Sequence, residues 1–96
     1  MNIEFTGRTA IVTGAAHGFG RAISLALSER GASVWACDIL SDELEQTRLL
    51  CEDAGGTCHI ETVNSRNRDE VFAFVNTAIE TDGKVDILVN NAGGVL

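Results

Sequence analysis

The run Thr9-Ala10-Ile11-Val12-Thr13-Gly14-Ala15-Ala16-His17-Gly18-Phe19-Gly20 decides the fold of this chain. Its first part is apolar and partly β-branched, as expected of a strand buried on both faces. It passes into a turn with glycines at 14, 18 and 20, and a helix begins near Gly18. The first N–H groups of a helix have no intrahelical partner, so its start is a ready anion site. Glycines there let a phosphate approach the backbone. The segment reads as a turn that binds a dinucleotide.

Working outward, strand and helix patterns alternate without interruption. The first strand is expected from Arg8 to Thr13 and the first helix from Gly18 to Arg30. That helix has an apolar stripe of Ile23, Ala26 and Leu27 and is ended by Gly31. Ser33 to Asp38 reads as a second strand. Ser41 is expected to cap a second helix running to about Ala54, with Leu40, Leu44, Thr47, Cys51 and Ala54 on its buried face. Thr57 to Val63 forms a third strand. A third helix from Asn67 to Asp82 carries Val71, Phe74, Val75, Ala78 and Ile79 at helical spacing, and Val85 to Asn90 is a fourth strand. Four strands joined by three helices imply a parallel α/β sheet wound by right-handed crossovers. The expected strand order is 3-2-1-4, with a topological switch point between strands one and four. Ligands of such sheets lie beyond the carboxyl ends of the strands at that point.

Composition narrows the classes. The 96 residues allow at most one small domain, and a chain this size buries only roughly 60–65% of its unfolded surface. The formal charge of −7 argues against nucleic acid or an anionic membrane as partner, since both need a basic footprint. No basic n-region opens the chain, and no apolar run approaches the ~20 residues of a membrane span. Cys37, Cys51 and Cys58 form no Cys-x-x-Cys pair and leave one odd, so a reducing cytoplasmic setting is expected rather than a disulfide framework. Metal binding at Cys58-His59 is disfavoured, because neighbours on a strand point to opposite faces.

Three sequence features converge on one crevice. The glycine spacing departs from the common fingerprint, in which glycines fall at i, i+2 and i+5, so the turn alone is weak evidence. Asp38, at the end of the second strand, is placed to accept hydrogen bonds from the adenosine ribose hydroxyls. Its charge would repel a 2′-phosphate, favouring NAD over NADP. His17 is the one neighbour that argues for NADP, and only when protonated. Asn90-Asn91-Ala92-Gly93 comes after the fourth strand and borders the same crevice.

Thr13-Gly14-x-x-x-Gly18-x-Gly20, Asp38, and Asn90-Asn91-Ala92-Gly93 together resemble the classical short-chain dehydrogenase/reductase family, over the whole chain. Within it the sequence is similar to 3-oxoacyl-carrier-protein reductases and related NAD-linked alcohol or sugar dehydrogenases. The resemblance implies a Rossmann-type sheet with helices on both faces, cut off after the fourth strand, so that residues 1–96 form part of a longer dinucleotide-binding domain. It implies that Gly14, Gly18 and Gly20 shape the pyrophosphate turn, with backbone amides from His17 to Phe19 reaching the cofactor and Phe19 near the nicotinamide end. Thr62-Val63 stands where the family commonly has Asp-Val against the adenine, so that contact is expected to be weaker here. Asn90 and the Ala92-Gly93 backbone would border the adenosine ribose and nicotinamide.

The same resemblance implies hydride transfer between a nicotinamide cofactor and an alcohol or carbonyl substrate. The family's proton donor is the tyrosine of a Tyr-x-x-x-Lys motif, helped by a serine and an asparagine. The chain has no tyrosine, and its single lysine, Lys84, precedes the fourth strand at the far end of the sheet. No catalytic residue is therefore assigned, and the chain alone is expected to be inactive. The leading expectation is the amino-terminal portion of a longer oxidoreductase, whose complete form is a homo-oligomer. The alternatives are a stand-alone NAD-binding module and a structural partner that adds its open strand edge to another chain.

Overall fold

The structure is a computed structural model that describes residues 4–91. Four parallel strands, β1 (Thr9–Thr13), β2 (Ser33–Asp38), β3 (Thr57–Thr62) and β4 (Ile87–Asn90), form one sheet in the order β3-β2-β1-β4. Helices α1 (Gly18–Glu29), α2 (Ser41–Asp53) and α3 (Arg68–Asp82) connect them. The expected strand order and the crossover pattern are both present.

The two sheet faces are sorted by the strand period of two. Ala10 and Val12 of β1 and Val34 and Ala36 of β2 pack with Leu27 of α1 and with Leu44 and Cys51 of α2. Ile11, Trp35 and Cys37 face the other way, onto Phe74 and Ala78 of α3, with Val63 closing the cluster. Every residue of β1 is buried, which is why its central run Ala10-Ile11-Val12 is continuously apolar rather than alternating. Cys58 joins the first cluster while His59 stacks on Trp35 across the sheet, ring centroids 4.2 Å apart. The three cysteines are free and buried.

Several local expectations need correction. Ala26 of α1 is exposed, and the face turned to the sheet is Gly20, Ser24, Leu27 and Ser28. Small residues there let α1 approach closely. Their hydroxyls are satisfied within the helix, Ser24 donating to the Gly20 carbonyl at 2.8 Å and Ser28 to that of Leu25 at 3.0 Å. Ser41 does not cap α2. The cap lies one residue earlier than expected: Leu40 is the N-cap residue, its carbonyl accepting the Leu44 N–H at 2.9 Å. Its apolar side chain offers no cap bond, and its own N–H goes to the Asp38 carboxylate at 3.0 Å. Leu40 and Ala54, just outside α2, are exposed rather than buried, as is Ile79 of α3.

The ladder of β4 begins at Ile87 rather than Val85. Ahead of it, the Asp86 side chain takes the Thr9 N–H at 2.8 Å, where a strand carbonyl would otherwise sit. Lys84 bonds the Gly7 carbonyl and the Asp86 carboxylate at this amino end of the sheet. As an edge strand, β4 leaves Leu88 64% exposed.

Asp82, the last residue of α3, ties that helix to the sheet. Its carboxylate accepts from Trp35 Nε1 and Thr9 Oγ1, each at 3.0 Å. Burial pushes the Asp82 carboxyl up, but hydrogen bonds from Trp35, Ser33 and Thr9 outweigh it and hold the group below its usual value. A carboxyl depressed by folding adds stability above its unfolded pKa, near ~3.9, and loses it as pH falls through the folded value. Asp82→Asn should therefore flatten the acid side of the stability profile. Thermal melts between about pH 5 and pH 2 check this, and curves parallel to wild type would count against the anchor.

Candidate functional site

The candidate site lies at the carboxyl ends of β1 and β4, the switch point of the sheet. Gly14 leaves β1 at φ +66° and Gly18 enters α1 at φ +58°, left-handed values that favour glycine. Gly20 has a different reason: a Cβ there would lie 2.0 Å from the Gly14 carbonyl oxygen. Beside Gly18, in contrast, an added Cβ meets nothing within 4 Å, so the space in front of the turn is open.

Residues 14–16 are held on all sides. The Ala15 N–H donates to the Cys37 carbonyl at 3.1 Å, and the Ala16 N–H to Asp38 Oδ2 at 3.0 Å. Thr47 Oγ1 donates to the Ala15 carbonyl at 2.8 Å, and the Arg21 guanidinium donates to the Ala16 carbonyl. Asn91 Nδ2 reaches the Gly14 carbonyl at 3.3 Å. The start of α1 is different. His17, its N-cap residue, makes no side-chain cap bond, and the first turn holds no acidic residue. α3 shows what a closed start looks like, with the Asn67 side chain accepting from Asp69 and Glu70 N–H groups. The uncapped N–H groups and dipole of α1 suit an anion.

Asp38 is half-buried and less free than a solvated acid at a strand end. Oδ2 takes the Ala16 N–H and Oδ1 the Leu40 N–H, so the carboxylate joins the turn to the start of α2. Each oxygen keeps a further lone pair for a hydroxyl donor. His17 is exposed, with Nε2 3.9 Å from Glu43 Oε2, and Phe19, in the first turn of α1, is 75% exposed. Thr62 pairs with Asp38 across β2 and β3 and is exposed, whereas Val63 is buried under the sheet, its N–H donating to the Asp38 carbonyl at 3.0 Å. Asn90 Oδ1 accepts from Thr13 Oγ1 at 3.0 Å, and the same hydroxyl accepts the Asn91 N–H at 3.0 Å. The amides thus knit β4 to β1. Ala92 and Gly93 lie outside the described residues.

Sequence reading missed Arg21 and the polar use of Thr47. The pattern placed Thr47 on the buried face of α2, and it is fully buried, but as a hydrogen-bond relay rather than packing. Arg21 gave no signal, since an arginine on a helix usually faces solvent. Here its Nε donates to Thr47 Oγ1 at 2.9 Å and its Nη2 to the Glu43 carbonyl at 2.8 Å, behind the turn.

A family model of short chain dehydrogenases matches residues 8–95. The chain belongs to the short-chain dehydrogenase family. It is 37% identical over 92 residues to 3beta-hydroxysteroid dehydrogenase 2 of Eggerthella lenta, covering 96% of this chain and 35% of that protein. A hydroxysteroid dehydrogenase structure from Escherichia coli superimposes with a TM-score of 0.90 at 38% identity, over 97% of this chain and 40% of the other. A short chain dehydrogenase from Mycobacterium paratuberculosis, solved bound to NAD, gives 0.89 at 31% identity, over 97% and 39%. The chain thus spans about a third of the length of the curated relatives it matches, at their amino-terminal end. Short-chain dehydrogenases are oxidoreductases, and the candidate site at the switch point is built from strands within the matched residues. Among the described residues no helix is long and apolar enough to cross a membrane, and no cluster of three or more metal-ligating side chains occurs.

Proposed function

We propose that this chain is the cofactor-binding portion of an NAD-dependent short-chain oxidoreductase, one that moves hydride between a nicotinamide cofactor and an alcohol or carbonyl substrate. The observation that carries the reading is the uncapped start of α1, set on a fully braced glycine turn at the switch point of the sheet. Gly14, Gly18 and Gly20 shape the turn, and the N–H groups from His17 to Phe19 receive the pyrophosphate. Asp38 takes the adenosine ribose, Thr62 and Val63 border the adenine, and Phe19 lies toward the nicotinamide. Asn90 contacts the ribose, with Ala92 and Gly93 assigned to the cofactor by the family resemblance alone. Bound NAD supplies the hydride chemistry, while these residues bind and orient it. A neighbour solved with NAD supports the cofactor class, and the Asp38 carboxylate favours NAD over NADP.

With no tyrosine in the chain, turnover by these residues alone is not expected. The complete enzyme is a cytoplasmic homo-oligomer acting on small molecules. Calorimetry of the 96-residue chain is expected to give saturable heat with NAD, less with NADP, and no oxidation of an alcohol. A folded, monodisperse chain that gives no heat with either nucleotide would overturn the reading. The second reading, a stand-alone NAD-binding module, is favoured by the bracing of the turn from within this chain. The coding sequence beyond Leu96 separates the two. A serine followed by Tyr-x-x-x-Lys supports the enzyme portion, and an authentic stop codon supports the module.

A further inference from the structure

We infer that Arg21 is a positioning residue for the pyrophosphate: from behind the turn it aims the His17 N–H at the anion. This rests on the proposed cofactor role of the turn and names a residue that acts without touching the cofactor. The physical basis is the planarity of the peptide unit. In a trans peptide the carbonyl and the N–H point in opposite directions, so a partner that holds one aims the other.

The peptide joining Ala15 and Ala16 is held at both ends, its carbonyl by Thr47 Oγ1 at 2.8 Å and its N–H by Asp38 Oδ2 at 3.0 Å. The next peptide, joining Ala16 and His17, is held at one end only. Arg21 takes its carbonyl, with Thr47 Oγ1 3.3 Å from the same oxygen, and no hydrogen bond among the described residues uses the His17 N–H. Pulling the carbonyl toward Arg21 turns that N–H away from it, toward the open side of the turn.

The guanidinium is itself fixed by Thr47 Oγ1 at 2.9 Å and the Glu43 carbonyl at 2.8 Å, so α2, through Arg21, sets the orientation of the Ala16–His17 peptide. The Thr47 hydroxyl has one proton, which goes to the Ala15 carbonyl, and it receives the Arg21 Nε–H on a lone pair. Were the Ala16 carbonyl released, the peptide could rotate and present oxygen instead of N–H to the phosphates, exchanging attraction for repulsion. A lysine has the charge but lacks the planar fork that bonds Thr47, Ala16 and Glu43 together.

Calorimetry at a temperature where all variants are folded tests this. Arg21→Ala and Arg21→Lys are expected to weaken NAD and ADP by about tenfold or more, the effect of one hydrogen bond to a charged group. Adenosine, which has no phosphate, should bind them as it binds wild type. Added guanidinium should restore part of the ADP affinity of Arg21→Ala. Thr47→Val should share the loss, and Thr47→Ser, which keeps the hydroxyl, should not. Thr77→Ala, on the exposed side of α3, serves as the control. Equal losses for adenosine and ADP would mean a general structural role and overturn the inference. Unchanged ADP affinity in Arg21→Lys and Thr47→Val, with wild type binding normally, would overturn it too. Failure of wild type to bind NAD would instead remove the cofactor reading on which it rests.

Discussion

Gly20→Ala is expected to destabilise the chain by about 3 kcal/mol, the upper end for forcing extra volume into a packed site. For a chain of this size that lowers the melting temperature by roughly 10–20 °C. The added Cβ would lie 2.0 Å from the Gly14 carbonyl oxygen, 2.7 Å from the Gly14 carbonyl carbon and 3.0 Å from Ala15 Cα. All three are backbone atoms, so no side-chain rotation relieves the clash. The turn and α1 must separate, and separation strains the Ala15 bond to Cys37 and the Asn91 bond to Gly14. Gly55→Ala is the comparison. Gly55 has φ +85° but open space around it, so alanine there incurs only the left-handed penalty of about 1–2 kcal/mol. Thermal melts by circular dichroism measure both. If the two variants melt together, close approach is not what requires glycine at position 20.

Asp38→Ala should weaken NAD binding by about 1.5–3 kcal/mol, the range for hydrogen bonds to a charged group. It should also lower the stability of the nucleotide-free chain, by about 1–3 kcal/mol, because the Ala16 N–H loses its acceptor at a fully buried residue. The double effect distinguishes this carboxylate from a simple ribose ligand, whose removal would leave the empty protein unchanged. Asp38→Asn keeps an acceptor oxygen for one of the two N–H groups and removes the charge. It should recover part of the stability and narrow the preference for NAD over NADP. Calorimetry and melts on the two variants, with and without nucleotide, check both halves. An unchanged NAD affinity in Asp38→Ala would remove Asp38 from the site.

Much of the fold is legible in residues 9–20 and in the alternating strand and helix patterns downstream of them. The continuous apolar run Ala10-Ile11-Val12 in β1 calls for burial on both faces, so helices cover both sides of the sheet, and α1 and α2 do lie opposite α3. Glycines at 31, 55 and 83 end elements that periodicity had already placed. Errors gathered where local pattern competes with tertiary contact. Ser41 has the chemistry of a helix cap, yet the cap falls one residue earlier, with the Leu44 N–H taken by the Leu40 carbonyl at 2.9 Å. Ala26 fits an apolar stripe, yet the closeness of α1 to the sheet favours Ser24 and Ser28 on the buried side.

The sequence by itself determined the βα rhythm and the glycine turn, because burial, helical period and glycine conformation are properties of neighbouring residues. The strand order followed from the right-handed winding rule for parallel sheets. What only the tertiary structure decided is how that turn is held. Arg21 meets Thr47 across 26 positions and Asn91 meets Gly14 across 77, and no local pattern encodes such pairs. They form because buried carbonyls and N–H groups must find partners wherever the packed chain brings one within reach.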